Sequence, residues 1–457
     1  MSKNPDFIKL IKAELADWRR WSDRLVVLLF ALLAGLTVAG FTWISESAFD
    51  LFFAYQTRFV WLALLITPVL TALIVWITRS FFPGAAGSGI APVIASLSKD
   101  TPSAQRALFV SLKLSLATVV LATVGLLAGL SLGRGGPSVL VAAGVMYSAR
   151  MFLSKRSQIR PSGLLLAGGA AGIAAAFNTP LGGVMFAIEA LSRNPEDRRS
   201  GLLLAGIVVA GLVAISIHGN TSYFGVIHVE SISWSLLVPG LLVAVACGLA
   251  GGLFSRLLIY SLDPTSPGWL QTYRRKSPYW FAAICGLAVA VLGILTGGDT
   301  FGTGYGHTRA MLENHTDVTE YFVLWKAAAT WLTTWAGVPA GIFAPSLAIG
   351  GALGNQLAVM TEYLNPPALI ALGMVGFLAA VTQAPLTALI IVMEMVSGQP
   401  LVLSLMSSAM IASAVSRLVS RPLYPTLAEL QLGRLAPRLT VRESSAVGEA
   451  DSATPGR

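Results

Sequence analysis

Charge is what this chain has least of. Only 12% of its 457 residues are Asp, Glu, Lys or Arg, about half the ~25% of a soluble globular domain. So small a polar share excludes a water-soluble fold of this length and leaves lipid around most of the surface. Cysteine is nearly missing as well. Cys247 and Cys285 both lie inside apolar runs, which excludes a disulfide framework and a cysteine metal site. The four histidines, His218, His228, His307 and His315, form no H-E-x-x-H pattern. No metal, cofactor or enzymatic activity is therefore expected. The residue alternation of membrane-barrel strands is also absent, which leaves an all-α integral membrane fold, because a lipid-embedded backbone must satisfy its own hydrogen bonds.

What the chain does have is apolar length. Runs of about 20 residues suffice to cross a bilayer. The clearest are 24–44 and 58–78, and others, some shorter than a full span and broken by Gly and Pro, lie near 107–132, 201–217, 235–260, 279–296, 366–381 and 384–419. The net charge of +9 reads as basic residues at cytoplasmic span ends, not as a nucleic-acid surface. Lys3, Lys9, Lys12, Arg19, Arg20 and Arg24 precede the first run, and Arg417, Arg421, Arg434 and Arg438 follow the last. Both termini are thus expected in the cytoplasm. Residues 1–24 read as an amphipathic surface helix without a signal-peptide core. Residues 425–457 read as a short tail with a disordered end, too short for a soluble regulatory domain such as a CBS pair.

Three motifs occur twice, in the same order. Gly87-Ser88-Gly89-Ile90 is echoed by Gly302-Thr303-Gly304-Tyr305. Gly133-Arg134-Gly135-Gly136-Pro137-Ser138 is echoed by Gly341-Ile342-Phe343-Ala344-Pro345-Ser346. Asn178-Thr179-Pro180-Leu181 is echoed by Gln383-Ala384-Pro385-Leu386, and in both copies a glutamate, Glu189 or Glu394, lies nine residues after the proline. The membrane domain therefore divides into halves over 25–217 and 235–424, joined by a linker over 218–234. Such halves are common in transporters and channels, often with inverted topology.

Pro137, Pro180, Pro345 and Pro385 each open an apolar run and read as helix starts, where a missing N–H costs nothing. A helix start inside a membrane presents N–H groups without intrahelical partners and about +0.5 charge. A dehydrated anion satisfies both. Several such starts together would hold an anion without a full positive charge and release it readily. Hydroxyls add selectivity without net charge. Ser88 and Tyr424 are candidates, although Ser88 also suits helix packing and Tyr424 an interfacial aromatic belt.

These residues resemble the CLC family of chloride channels and chloride/proton antiporters. GSGI (87–90), GRGGP (133–137), GIFAP (341–345) and PLY (422–424) stand in the family's order, and AFNTPLGGVMFAIEA (176–190) and QAPLTALIIVMEM (383–395) are similar to family segments. The resemblance spans roughly 25–430. It implies an inverted repeat of tilted and broken transmembrane helices. It also implies a homodimer with one pore per subunit, and we expect a bacterial plasma-membrane location. It implies that chloride is held by Ser88, by the backbone of Ile342 and Phe343, and by Tyr424. Gly87, Gly89, Ile90, Arg134, Gly135, Gly136, Pro137, Gly341, Ala344 and Pro345 would line the pore. Serine at 88 goes with chloride in the family, where proline goes with nitrate and methionine with fluoride export. Repeats alone would also fit an organic-substrate carrier; these ordered motifs do not.

Three positions depart from the family. Its motif reads GREGP, whose glutamate enters the anion site as a tethered competitor and leaves when protonated; here that position is Gly135. Family antiporters commonly carry an internal proton glutamate where Ala190 stands. Ala91-Pro92 replaces the family's Pro-Glu. The expected activity is therefore passive, proton-uncoupled movement of chloride and similar anions. The competing expectation is an antiporter using another carrier, with Glu189 the first candidate. A one-residue shift turns a helical side chain by about 100°, so Glu189 is not an automatic substitute, and its repeat mate Glu394 argues for a shared structural role.

Overall fold

A computed structural model describes residues 18–98, 106, 108–192, 200–219, 223–224, 234–313 and 321–433. Residues 1–17 of the expected surface helix, most of the 218–234 linker and the tail from 434 lie outside the described residues. The first half holds α1 (Trp18–Arg58), α2 (Ala63–Phe81), α3 (Ile90–Leu97), α4 (Leu112–Leu127), α5 (Gly135–Ser148), α6 (Pro161–Phe177), α7 (Pro180–Phe186) and α8 (Gly201–His218). The second holds α9 (Leu237–Leu262), α10 (Trp269–Lys276), α11 (Pro278–Leu295), α12 (Tyr305–Leu312), α13 (Phe322–Ala336), α14 (Phe343–Met360), α15 (Pro366–Thr382), α16 (Pro385–Met395) and α17 (Val402–Val419). A last helix, α18, covers 423–433. The fold is all-α, and the one β-bridge among the described residues joins Gly133 to Gly341.

Gly and Pro set the breaks. α6, α7, α15 and α16 each open on proline, whose fixed φ suits a first turn. α6 and α15 end alike, on Asn178 (φ 59) and Gln383 (φ 53) in the left-handed region, before the next proline start. The two copies of the third motif thus make the same helix–break–helix. Packing repeats too. α5 packs on α6 as α14 does on α15, α6 on α8 as α15 on α17, and α1 on α8 as α9 on α17. The helices α2 and α11, and likewise α7 and α16, pack against each other across the halves.

Six helices among the described residues are long and apolar enough to cross a membrane, including all of α1, α8, α9, α11 and α17. Their large apolar side chains, such as Leu25, Leu29, Trp43, Leu403 and Leu418, are exposed. On a water-soluble protein these would form a large apolar surface; in a bilayer they meet acyl chains. At 1.5 Å per residue, the 41 residues of α1 run about 60 Å, twice the ~30 Å hydrocarbon thickness, so α1 tilts or projects.

Two expectations are corrected. Residues 18–24 do not belong to a separate surface helix; they are the first turns of α1. No Gly or Pro interrupts them, and Asp23 turns inward to accept hydrogen bonds from Ser154 N (2.9 Å) and Ser154 Oγ (3.1 Å). The run 384–419 is not one span. Ser397 has φ 49, and a 3₁₀ turn over Gln399–Leu401 separates α16 from α17.

Candidate functional site

The starts of three helices converge. Gly133 N donates to Gly341 O at 2.7 Å, and Gly341 N donates back to Gly133 O at 2.9 Å. This reciprocal pair pins the approach to α5 against the approach to α14. Ala340 N donates to Gly87 O at 3.2 Å, which draws in the segment before α3. At Gly136 a Cβ would lie 3.1 Å from both Gly341 Cα and Ser88 Oγ, so any side chain there would press these neighbours apart, and glycine lets them come this close. Gly87 turns with φ 77. Neither α5 nor α14 has a side-chain cap on its first turn, so their leading N–H groups remain available to a ligand, whereas at α3 Ile90 N and Ala91 N are engaged by Ser88.

Around this junction stand the remaining residues expected at the site. The Phe343 ring stacks on Tyr424 at 5.8 Å and meets Phe186 edge-on at 6.1 Å. The Tyr424 hydroxyl is buried and approaches Ser88 without reaching hydrogen-bond geometry with any partner. Ser88 Oγ accepts from Ile90 N at 3.4 Å, which leaves its proton to donate elsewhere. Ile342 caps α14 and is buried, as are Gly89, Ile90, Pro137, Ala344 and Pro345. Pro345 and Ala344 pack on Gly133. Ala91 and Pro92 are both buried in the first turn of α3.

Two cavities flank the junction. The one beside Arg134, called the outer cavity, is about 500 Å³ and is lined by Glu46, Arg134, Tyr223, Asp299, Tyr305 and His307. Arg134 caps α5 with its guanidinium almost fully buried. It donates from Nη1 to Glu46 Oε1 at 2.6 Å and from Nη2 to the Tyr223 hydroxyl at 3.0 Å. The inner cavity, about 110 Å³, is lined by Phe186, Glu189, Ala190, Phe343, Thr387 and Tyr424 among others.

Glu189 and Glu394 exchange roles across the halves. Glu189 accepts from Leu386 N (3.2 Å) and Thr387 N (2.6 Å), the first turn of α16. Glu394 accepts from Leu181 N (3.2 Å) and Gly182 N (2.7 Å), the first turn of α7. Each carboxylate therefore caps the helix start of the opposite half. Glu394→Ala should lower stability by about 1 kcal/mol, the cost of one partly buried and one exposed donor losing their acceptor, and Glu394→Gln should lose less. Thermal unfolding of the detergent-solubilised protein reads this, and an unchanged midpoint for Glu394→Ala would remove the cap from the account.

The echo of the first motif behaves differently. Thr303, Gly304 and Tyr305 line the outer cavity. Lys326 holds this loop: fully buried, it donates from Nζ to Thr300 O (2.9 Å), Phe301 O (3.3 Å) and Gly302 O (2.8 Å). Sequence reading missed Lys326 and Glu46, which lie outside the apolar runs read from the sequence; a charged residue within an otherwise apolar helix, as Lys326 is in α13, is the signal that could have found it. Tyr223 carried no such signal.

Residues 70–417 match the family described as voltage gated chloride channel. The chain belongs to this chloride channel family. It is 27% identical over 444 residues to the H(+)/Cl(-) exchange transporter ClcA of Vibrio parahaemolyticus, covering 89% of this chain and 90% of that one. A relative of the same description from Citrobacter koseri is 27% identical over 385 residues, 80% of this chain and 78% of that one. Among solved structures the chain resembles a slow cyanobacterial Cl-/H+ antiporter, with TM-score 0.77, 23% identity and coverage of 90% of this chain and 98% of the other. It also resembles a CLC-type fluoride/proton antiporter, with TM-score 0.72, 22% identity and coverage of 90% and 99%. The fold is the CLC inverted repeat of tilted, broken helices. Like the rest of the family, this is an integral, multi-pass membrane protein that transports chloride or similar anions by a channel or antiporter mechanism. Such proteins are transporters, not enzymes.

Proposed function

We propose that this family member passes chloride and similar small anions passively, without proton coupling. The observation that carries the reading is the start of α5, where Gly135 offers backbone N–H groups to an anion and has no side chain to compete for them. A tethered carboxylate is both the competitor and the external proton acceptor of the gated mechanism; glycine can be neither. At the inner end Ala190 bears no titratable group. The neighbouring Glu189 is engaged by two backbone N–H groups of α16, and protonating it would weaken that cap. An antiporter reading that uses Glu189 as carrier must break these bonds in every cycle.

In this reading Ser88, Tyr424 and the backbone of Ile342 and Phe343 hold the central anion, with the α3, α5 and α14 starts supplying positive potential. Arg134 draws anions into the outer cavity against the opposing charge of Glu46. The halves over 25–217 and 235–424 form one pore in each subunit of a homodimer, with both termini cytoplasmic in a bacterial plasma membrane. The deciding test is paired chloride and proton flux from liposomes under an imposed chloride gradient. Chloride efflux with no stoichiometric proton uptake is expected. Uphill proton movement driven by chloride would sink the uncoupled reading.

A further inference from the structure

Gly135 leaves no vacancy at the outer gate position. A Cβ built there would lie 2.6 Å from Phe177 Cζ and 2.7 Å from Phe177 Cε2. The ring occupies the volume into which any side chain at 135 would project. Phe177 is fully buried and is the last residue of α6, immediately before the left-handed Asn178. The ring lies near-parallel to Phe343 at 6.1 Å (24°) and meets Tyr223 edge-on at 6.1 Å (75°). Tyr223 lines the outer cavity and Phe343 the inner one. The two cavities share no lining residue. Phe177 lines neither cavity itself; its ring touches one wall residue of each, beside the start of α5.

Resting on the uncoupled reading above, we infer that Phe177 is the outer gate of this pore: its ring, held in the space that Gly135 leaves open, separates the two cavities and must swing aside for an anion to pass. The two residues are complementary in space. Glycine at 135 makes room for the ring, and the ring closes what glycine leaves open. The physics of closure differs from that of a carboxylate. A carboxylate excludes chloride by charge and yields when protonated. A benzene ring does not titrate; it excludes a hydrated ion by bulk and by the lack of hydrogen-bond partners in an apolar constriction. Its positively polarised edge can still line the path of a dehydrated anion once displaced. Closure of this kind limits turnover by ring motion, favours anions that shed water easily, and leaves the rate insensitive to pH.

The test is a size series at Phe177 in reconstituted full-length protein, with chloride efflux and proton flux recorded together at neutral and acid pH. Phe177→Ala is expected to raise chloride turnover on the order of tenfold or more equally at both pH values. Phe177→Leu should fall between, and Phe177→Trp should slow transport. Monodisperse Phe177→Ala protein with turnover within about twofold of the parent, or slower, overturns the assignment. Should the alanine variant fail to fold, Leu and Trp decide: Leu faster with Trp slower supports the gate, and any other order overturns it. Proton coupling in the unsubstituted protein would defeat the uncoupled reading by a separate readout.

Discussion

Gly135→Glu is expected to cut chloride turnover at neutral pH by about tenfold or more and to make transport acid-activated. A glutamate at the first position of α5 is tethered beside N–H groups that carry partial positive charge. Its local concentration far exceeds that of chloride, so the ionised carboxylate wins the site. Protonation removes the competitor, and turnover should recover as pH falls toward the ordinary glutamate pKa of about 4.3. The carboxylate does not enter unopposed, because Phe177 fills the adjoining space. Gly135→Glu alone must dislodge the ring, an overpacking cost of roughly 1–3 kcal/mol. Gly135→Glu combined with Phe177→Ala provides the room and should give the steeper pH response. Chloride efflux from liposomes across a pH series checks both. A flat profile with parental turnover in the double variant would show that residue 135 does not face the anion path.

Gly341→Ala is expected to destroy the site rather than tune it. The new methyl carbon would lie 2.5 Å from Gly133 O and 2.8 Å from Gly136 N. Both are backbone atoms, and no rotamer change relieves the collision. Relief requires the starts of α5 and α14 to part, with loss of the reciprocal Gly133–Gly341 hydrogen bonds. The cost exceeds the about 1–3 kcal/mol of ordinary overpacking, and chloride flux should vanish with the anchored helix starts. Gly40→Ala is the matched control, since a Cβ there meets no heavy atom within 4 Å. Thermal unfolding followed by size-exclusion chromatography should separate the two variants widely. Equal midpoints would mean that the junction yields more easily than its backbone contacts imply.

Sequence by itself determined the class of solution. Scarce charge and membrane-length apolar runs without strand alternation required helices in lipid, because only helices and closed barrels satisfy the backbone there. The paired motifs carried the repeat, because a helix start needs its Gly and Pro locally and so writes them into the chain. Family resemblance then singled out Ser88, Gly135, Ile342, Phe343 and Tyr424. Their meeting point was not legible. Convergence of α3, α5 and α14 depends on the exchange of hydrogen bonds between Gly133 and Gly341, two residues far apart in the chain, and on glycine at 136 where a Cβ would crowd Ser88. Tertiary structure alone decided which copy of the first motif reaches the junction and which Lys326 ties to the outer cavity. It also gave Glu189 and Glu394 their capping partners in the opposite half. Most consequentially, the sequence recorded Gly135 as a missing side chain, whereas packing places Phe177 in its space. Absence at one position is a local fact; what fills the volume is set by whichever element folds against it, here the end of α6.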